Sequence, residues 1–289
     1  MKKFIITTDT TCDLPEDYLH QHNIGIIPLY YSMSDTIYGE EDVLEPKVFY
    51  NRMRSGEMPT TMAVNPAIAK KVFTGFIQDG YDILHIAFSS ALSASCSVAA
   101  TVAREVCDEN PDAKIIVIDS LCASLGEGLL LHKAAMLKEQ GKSIEEISEW
   151  LEHNKLNLCH LFTVDDLHHL HRGGRVSKTT AIIGTLINVK PVLHVDNEGR
   201  LVSLNNVRGR KKALLSLVDQ MEQRLKGYSE SNDIIFISHG DCEEDARIVA
   251  DHVKERFGIQ NFLINYVSPT IGAHSGPGTV ALFFMGNQR

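Results

Sequence analysis

The chain has 289 residues, 44% of them apolar and 22% charged, enough to build one large domain or two smaller ones. A formal net charge of −9 argues against a nucleic-acid partner, because phosphate backbones are bound through an excess of Lys and Arg. Six cysteines with no CxxC pair and no zinc-like spacing read as the reduced thiols of a cytoplasmic protein, and no apolar run reaches the ~20 residues of a membrane span.

The first half alternates between two patterns. "KKFIITTD" (2–9) is an apolar run that ends polar, too short to serve as a secretory signal. "IGIIPLYYSM" (24–33) reads as a second strand, and "NPAIAKKVFTGFIQDG" (65–80) has helical spacing and stops at a glycine. "YDILHIAF" (81–88) is a third strand, the small-residue run 94–110 a helix, "AKIIVIDS" (113–120) a fourth strand, and 126–142 and 144–155 two more helices. Continuous apolar strands alternating with helices predict a doubly wound parallel sheet covered on both faces. Ligands of such sheets bind beyond the carboxyl ends of the strands.

The second half differs. "NVKPVLHVDNEGRLVSLNNV" (188–207) reads as an antiparallel hairpin about a D-N-E-G turn. A helix (210–226), a strand (233–241), a helix (243–257), a strand (262–269) and a last apolar run (279–286) follow. The expected fold class is therefore α/β in two lobes. The N-terminal lobe, 1–158, carries the parallel sheet. The C-terminal lobe, 159–289, is α+β with a mixed or antiparallel sheet. Together they form one unit.

Polar residues collect at the strand ends, in "TTDTTCD" (7–13), "SSALSAS" (89–95) and "DSLCAS" (119–124), and in the loop "EMPTTMAVNP" (57–66). On one edge of a parallel sheet these would form a pocket of hydroxyls and helix N-termini, suited to an anion. Ser, Thr and Asp at such places also cap helices, and both readings stay open. There is no G-x-S-x-G elbow, no P-loop and no strand-borne G-x-G-x-x-G, and His85 falls inside a strand. "DDLHHLHRGGR" (165–175) groups Asp165, Asp166, His168, His169 and His171. The spacing matches no metal motif, and His168 and His169 diverge on a helix, so no metal is expected. The GGR turn aims Arg175. "GAHSGPG" (272–278) reads as a tight glycine turn that presents His274. Arg208, Arg210, Lys211 and Lys212 concentrate positive charge after the hairpin.

These motifs, in this order over nearly the whole chain, resemble the DegV family: "TDTTCDLP" (8–15), "PTTMAVNP" (59–66), "SSALSAS", "IDS" (118–120), "GGRV" (173–176), "VKPVL" (189–193) and "GAHSGPG". The resemblance implies a non-catalytic carrier that holds one long-chain fatty acid, such as palmitate, in a buried apolar tunnel. No cofactor accompanies that ligand. In bacteria with a fatty acid kinase it implies the subunit that presents the acid to a separate ATP-using subunit, and transient contact with a membrane. Thr61 and Ser93 match the carboxylate ligands. Arg175 and His274 match the head-group positions, with Ser90 and Ser120 in the same vicinity. Met62, Ala94 and Cys96 depart from the family pattern and leave the preferred chain length open. Two other readings of the same residues are a hydrolase using Ser93 with His274, and a small-anion sensor. The basic stretch Arg208–Lys212 reads first as a solvated helix start; the other reading makes it a docking face for a kinase subunit or anionic lipid, and failing that the docking face lies at the pocket mouth near Arg172 and Lys178.

Overall fold

The computed structural model describes residues 2–40, 42–177, 188–230 and 232–289. Lys178 lies outside them. The chain opens with β1 (Phe4–Asp9), α1 (Glu16–Gln21) and β2 (Ile24–Ile27). Three short strands and a helix follow: β3 (Tyr31–Met33), β4 (Thr36–Tyr38), α2 (Pro46–Arg54) and β5 (Thr60–Thr61). Then α3 (Pro66–Gln78), β6 (Asp82–Ala87), α4 (Ser95–Glu109), β7 (Ile115–Asp119), α5 (Leu125–Glu139) and α6 (Ile144–Asn154) complete the first half.

β2, β1, β6 and β7 make a four-stranded sheet in that order, parallel throughout. Alternation along the strands divides its two faces. Ile5 and Ile83 pack on Phe73 of α3 and Val102 of α4. Ile6, Leu84 and Ile86 point the other way, onto Leu129 and Leu130 of α5 and Ile147 of α6. Helix starts follow their capping chemistry: Asn65 accepts from the Ala67 N–H at 2.9 Å ahead of Pro66, and Ser143 with Glu146 closes a capping box.

The second half supplies β8 (Leu158–Thr163), α7 (Leu167–Arg172), β9 (Val189–Val195), β10 (Leu201–Arg208), α8 (Arg210–Leu225), β11 (Ile235–His239), α9 (Glu243–Phe257), β12 (Phe262–Tyr266), α10 (Pro269–Ser275) and β13 (Val280–Met285). Six strands run in the order β10-β9-β8-β13-β11-β12, antiparallel except for β11 with β12. The fold is thus α/β with one parallel sheet, one mixed sheet and, among the described residues, a small antiparallel sheet of β3, β4 and β5. α8 and α9 cover the outer face of the mixed sheet. Its inner face, through Phe162, Phe236 and Phe283, packs on α5.

α5 is therefore pressed by both sheets, which explains why its first half is buried on every side. Two glycines allow the approach. A Cβ on Gly126 would run into His160 of β8, and one on Gly128 would lie 2.6 Å from the Cys12 carbonyl. Among the described residues no helix is long and apolar enough to cross a membrane.

Two readings needed correction. The apolar run 24–33 is not one strand. Pro28 has no N–H for a ladder, so β2 ends at Ile27 and β3 starts a separate sheet, ordered β4-β3-β5. The glycine motif 272–278 is not a turn throughout. Pro269 at the first helical position starts α10, which carries His274, and the turn begins only at Gly276, where φ is 79°. The small sheet packs Tyr31 and Met33 against Phe49, Tyr50 and Ala273 of α10. Tyr50 also donates to the Val267 carbonyl at 2.9 Å.

Candidate functional site

A cavity of about 300 Å³ opens between the carboxyl edge of the parallel sheet and the inner face of the mixed sheet. Most of its wall is apolar: Leu29, Phe88, Leu92, Phe162, Leu170, Val195, Leu201, Ile271 and Phe283. Thr61, Ser93, Arg175 and His274 also line it. Each comes from a different element: β5, the β6–α4 loop, the turn after α7, and α10.

The Thr61 hydroxyl and His274 Nε2 are 2.8 Å apart. Burial, then the Arg175 and Arg172 guanidinium groups, push the His274 pKa down to about 4, so the imidazole is neutral near pH 7. The ring lies against Gly173, where a Cβ would collide with Nδ1. Arg175 is half-buried and donates to the carbonyls of Leu92, at 3.1 Å, and Gly173. No ion pair with a carboxylate engages it among the described residues. Among the described residues its charge has no counter-ion at the cavity wall.

Ser93 is oriented by its neighbour. The Ser95 hydroxyl accepts from the Val64 N–H at 3.1 Å and lies 2.9 Å from the Ser93 hydroxyl. Ser95 is fully buried, so leaving its hydrogen unused would carry a desolvation cost. It therefore donates to Ser93. Ser93 also accepts from the Ser95 N–H at 3.2 Å, and its own hydrogen stays free to donate into the cavity. Ser95 is a positioning residue that sequence reading passed over. The other serines of the run hold structure. Ser89 donates to the Gly199 carbonyl at 3.0 Å, joining the two halves, and Ser97 donates to the Ala94 carbonyl at 2.8 Å.

Ser90 and Ser120 fall outside the cavity lining. Ser90 is exposed, and its N–H donates to Asp119 at 3.1 Å. The buried Ser120 hydroxyl accepts from the Cys122 N–H at 3.0 Å. The histidine-rich stretch is also occupied otherwise. Asp166 caps α7 by accepting from the His168 N–H at 2.8 Å, and Asp165 pairs with Lys190 at 2.7 Å. Among the described residues no three His, Cys, Asp or Glu side chains are grouped to hold a metal. In the basic stretch, Arg210 is tied to Asp245 at 2.8 Å and to the Gly278 carbonyl at 2.6 Å. It fixes the turn after α10 and is not a free docking cation, whereas Arg208, Lys211 and Lys212 are exposed. Arg172 lies over Met58 and donates to the Ala273 carbonyl at 3.3 Å.

A buried acidic network sits behind the cavity and was not expected. Thr8 donates to Glu127 at 2.7 Å, and the Thr11 hydroxyl bridges Glu127, at 3.0 Å, and Asp9. Asp13 meets the Ser124 hydroxyl and accepts from the Ser268 N–H at 3.1 Å. Among the described residues no cation is paired with any of the three. Burial raises all three pKa values: Asp9 above the usual aspartate value, Asp13 to about 7, Glu127 well above its usual value. The nearest signals in the sequence are acids placed inside apolar context, Glu127 within "GEGLLL" above all.

A family model described as "Uncharacterised protein, DegV family" matches residues 3–287. The chain belongs to the DegV family. A DegV domain-containing protein of Clostridium perfringens is 42% identical over 100% of this chain and 99% of its own length. Two solved DegV structures share the fold. One, from Thermus thermophilus and described by its fatty acid binding, has a TM-score of 0.86 at 27% identity, over 99% of this chain and 100% of its own. The other is DegV from Bacillus subtilis, named a fatty acid binding protein, with a TM-score of 0.84 at 30% identity and the same coverage. In this DegV family member the cavity lies where the parallel and mixed sheets face each other, and Thr61, Ser93, Arg175 and His274 reach it from four separate elements.

Proposed function

We propose that the cavity holds one long-chain fatty acid, its carboxylate at Thr61 and Ser93 with Arg175 and His274 alongside. The observation that carries this is the cluster of polar groups at an otherwise apolar cavity, including Arg175, which has no carboxylate partner among the described residues. The cavity volume lies at the lower end of the ~300–1,000 Å³ typical of small-molecule pockets. Burying a chain of ~16 carbons contributes on the order of 12 kcal/mol before association costs of ~4–15 kcal/mol. The acyl chain therefore supplies most of the affinity, and the hydroxyls with Arg175 set the orientation of the carboxylate. The two solved relatives named for fatty acid binding support the reading.

The protein acts as a cytoplasmic carrier and performs no chemistry of its own. Residues 1–158 and 159–289 are two halves of one unit that enclose the ligand. A carboxylate held by neutral hydroxyls beside Arg175 can be offered to an ATP-using fatty acid kinase subunit, and the guanidinium and imidazole donors suit the added phosphate charge. The hydrolase alternative loses support, because His274 Nε2 meets Thr61 and not Ser93.

Mass spectrometry of organic extracts of the purified protein tests the reading. A long-chain fatty acid in near-stoichiometric amount is the expected result. An empty protein that also shows no saturable fatty acid binding after loading removes it.

Gly173→Ala probes the head group without touching a ligand atom. At φ −71° the backbone accepts alanine, but the methyl group would push the His274 ring off Thr61. Fatty acid affinity is expected to fall about tenfold, the loss of roughly one hydrogen bond to a charged group, with little change in melting temperature. Unaltered affinity, with His274 shown displaced, would mean that the ring does not help hold the carboxylate. Arg175→Ala and His274→Ala, supplied with a kinase subunit, are expected to lose acyl phosphate while still binding fatty acid, His274→Ala about as weakly as Gly173→Ala. Recovery of both variants empty of lipid would make the two residues simple binding residues.

A further inference from the structure

We propose that the cavity contains a second polar subsite, formed by Ser238, Ser124 and Thr270, that takes a hydroxyl group carried on the acyl chain. It rests on the fatty-acid reading of the cavity. All three residues line it. Alternation along β11 turns Ser238 to the inner face of the mixed sheet, and it pairs across to Ala281, which pairs to Phe162. Its neighbours on that face, Phe236 and Phe283, are apolar. A fully buried hydroxyl in such a row has no role in packing a plain hydrocarbon chain.

The hydroxyl hydrogens leave bonding capacity unused. Ser238 lies 2.8 Å from the Ser124 hydroxyl, which also meets Asp13. Ser124 has one hydrogen for two contacts. With Asp13 ionised, Ser124 donates to it, and the Ser238 hydroxyl keeps its own hydrogen uncommitted. With Asp13 protonated, Asp13 donates to Ser124 and Ser124 donates to Ser238, and Ser238 again keeps a free hydrogen. Either way Ser238 presents an unused hydrogen-bonding position at the cavity.

Ser124 itself is held at φ 58°, ψ −145°, a conformation that favours glycine. A serine persists there with its hydroxyl fixed between Asp13 and Ser238. The Thr270 hydroxyl has no hydrogen-bond partner among the described residues, although Thr270 is only 9% exposed. Thr270 and His274 are four residues apart on one helix face, so their Cβ atoms are ~6 Å apart. That spacing places the subsite beside the carboxyl half of the ligand. An alcohol, both donor and acceptor, matches Ser238 in either state of Asp13.

The test uses lipid-stripped protein titrated with palmitic acid and with a positional series of monohydroxypalmitic acids. At least one isomer, hydroxylated in the carboxyl half, is expected to bind about tenfold tighter than palmitic acid. In Ser238→Ala the ratio of the two affinities is expected to fall to about one. Thr270→Val is expected to lower the same ratio, and provides a second variant should Ser238→Ala fold poorly. Palmitic acid binding with no isomer tighter, or a ratio untouched by both variants, overturns the subsite and leaves only ordered water there. Failure of every acid to bind, palmitic acid included, removes the fatty-acid reading itself.

Discussion

Between pH 4 and pH 8 the protein is expected to lose about 4 kcal/mol of stability through Asp13 alone. An ordinary aspartate titrates at 3.8, whereas burial raises Asp13 to about 7. Over that interval the folded state holds a proton that the unfolded chain has released. Stability then falls as pH rises, by about 1.4 kcal/mol per pH unit. The contribution is complete below pH 3.8 and gone above about pH 7. Glu127 and Asp9, also raised, act with the same sign. Buried histidines act oppositely. Burial holds His85 at about 3 and His132 at about 4, so their contribution is present above pH 6.5 and is lost as pH falls. Asp13→Asn separates the two effects, because an amide keeps the contacts with Ser124 and Ser268 and cannot ionise. Urea unfolding across pH is expected to show the variant gaining about 4 kcal/mol relative to the parent between pH 4 and pH 8. Parallel stability curves for the two proteins would show that Asp13 is ionised in the folded state at all these pH values.

The alternating first half was legible because a parallel sheet buried on both faces leaves continuous apolar runs, as in "YDILHIAF". The helix 243–257 matches its predicted span to the residue, with three acids in its first turn and Gly258 after its end. What failed to show was set by partners distant in sequence. The run 24–33 has one hydropathy pattern but two fates, because β3 finds its partners in β4 and β5. The glycines around His274 suggested a turn, whereas packing of Ala273 under Tyr50 and Met53 favours helix. In the site, Thr61 and Ser93 could be placed by motif. Ser90 and Ser120 share those motifs in sequence, yet their loops turn them away from the cavity. The roles of Ser95, Asp13 and Glu127 depend on contacts up to 255 residues away, and no local pattern encodes them. Charge clustering misled at Arg210, whose partners Asp245 and Gly278 are brought to it only by the fold.

Replacing Thr61 by Val and Ser93 by Ala together is expected to weaken fatty acid binding by a factor of ~100 or more. Each hydroxyl is proposed to donate one hydrogen bond to a carboxylate, and a bond to a charged group is worth about 1.5–3 kcal/mol, or roughly ten- to a hundredfold in affinity. The two losses do not simply add, because both hydroxyls face one carboxylate. Valine preserves the shape of Thr61 and the backbone pairing of β5 with Tyr31, so the small sheet should keep its fold. Ser93→Ala leaves the Ser95 hydroxyl without its acceptor, a cost to stability that a melting curve will register separately from binding. The fatty acid methyl ester supplies the control. It has the same chain and no charge, so the parent should bind it more weakly than the acid, and the double variant should bind acid and ester about equally. A variant that still prefers the acid as strongly as the parent would move the carboxylate away from Thr61 and Ser93. Arg175, the remaining cation at the cavity, would then be the anchor, and Arg175→Ala would abolish the preference that the hydroxyl variants had left intact.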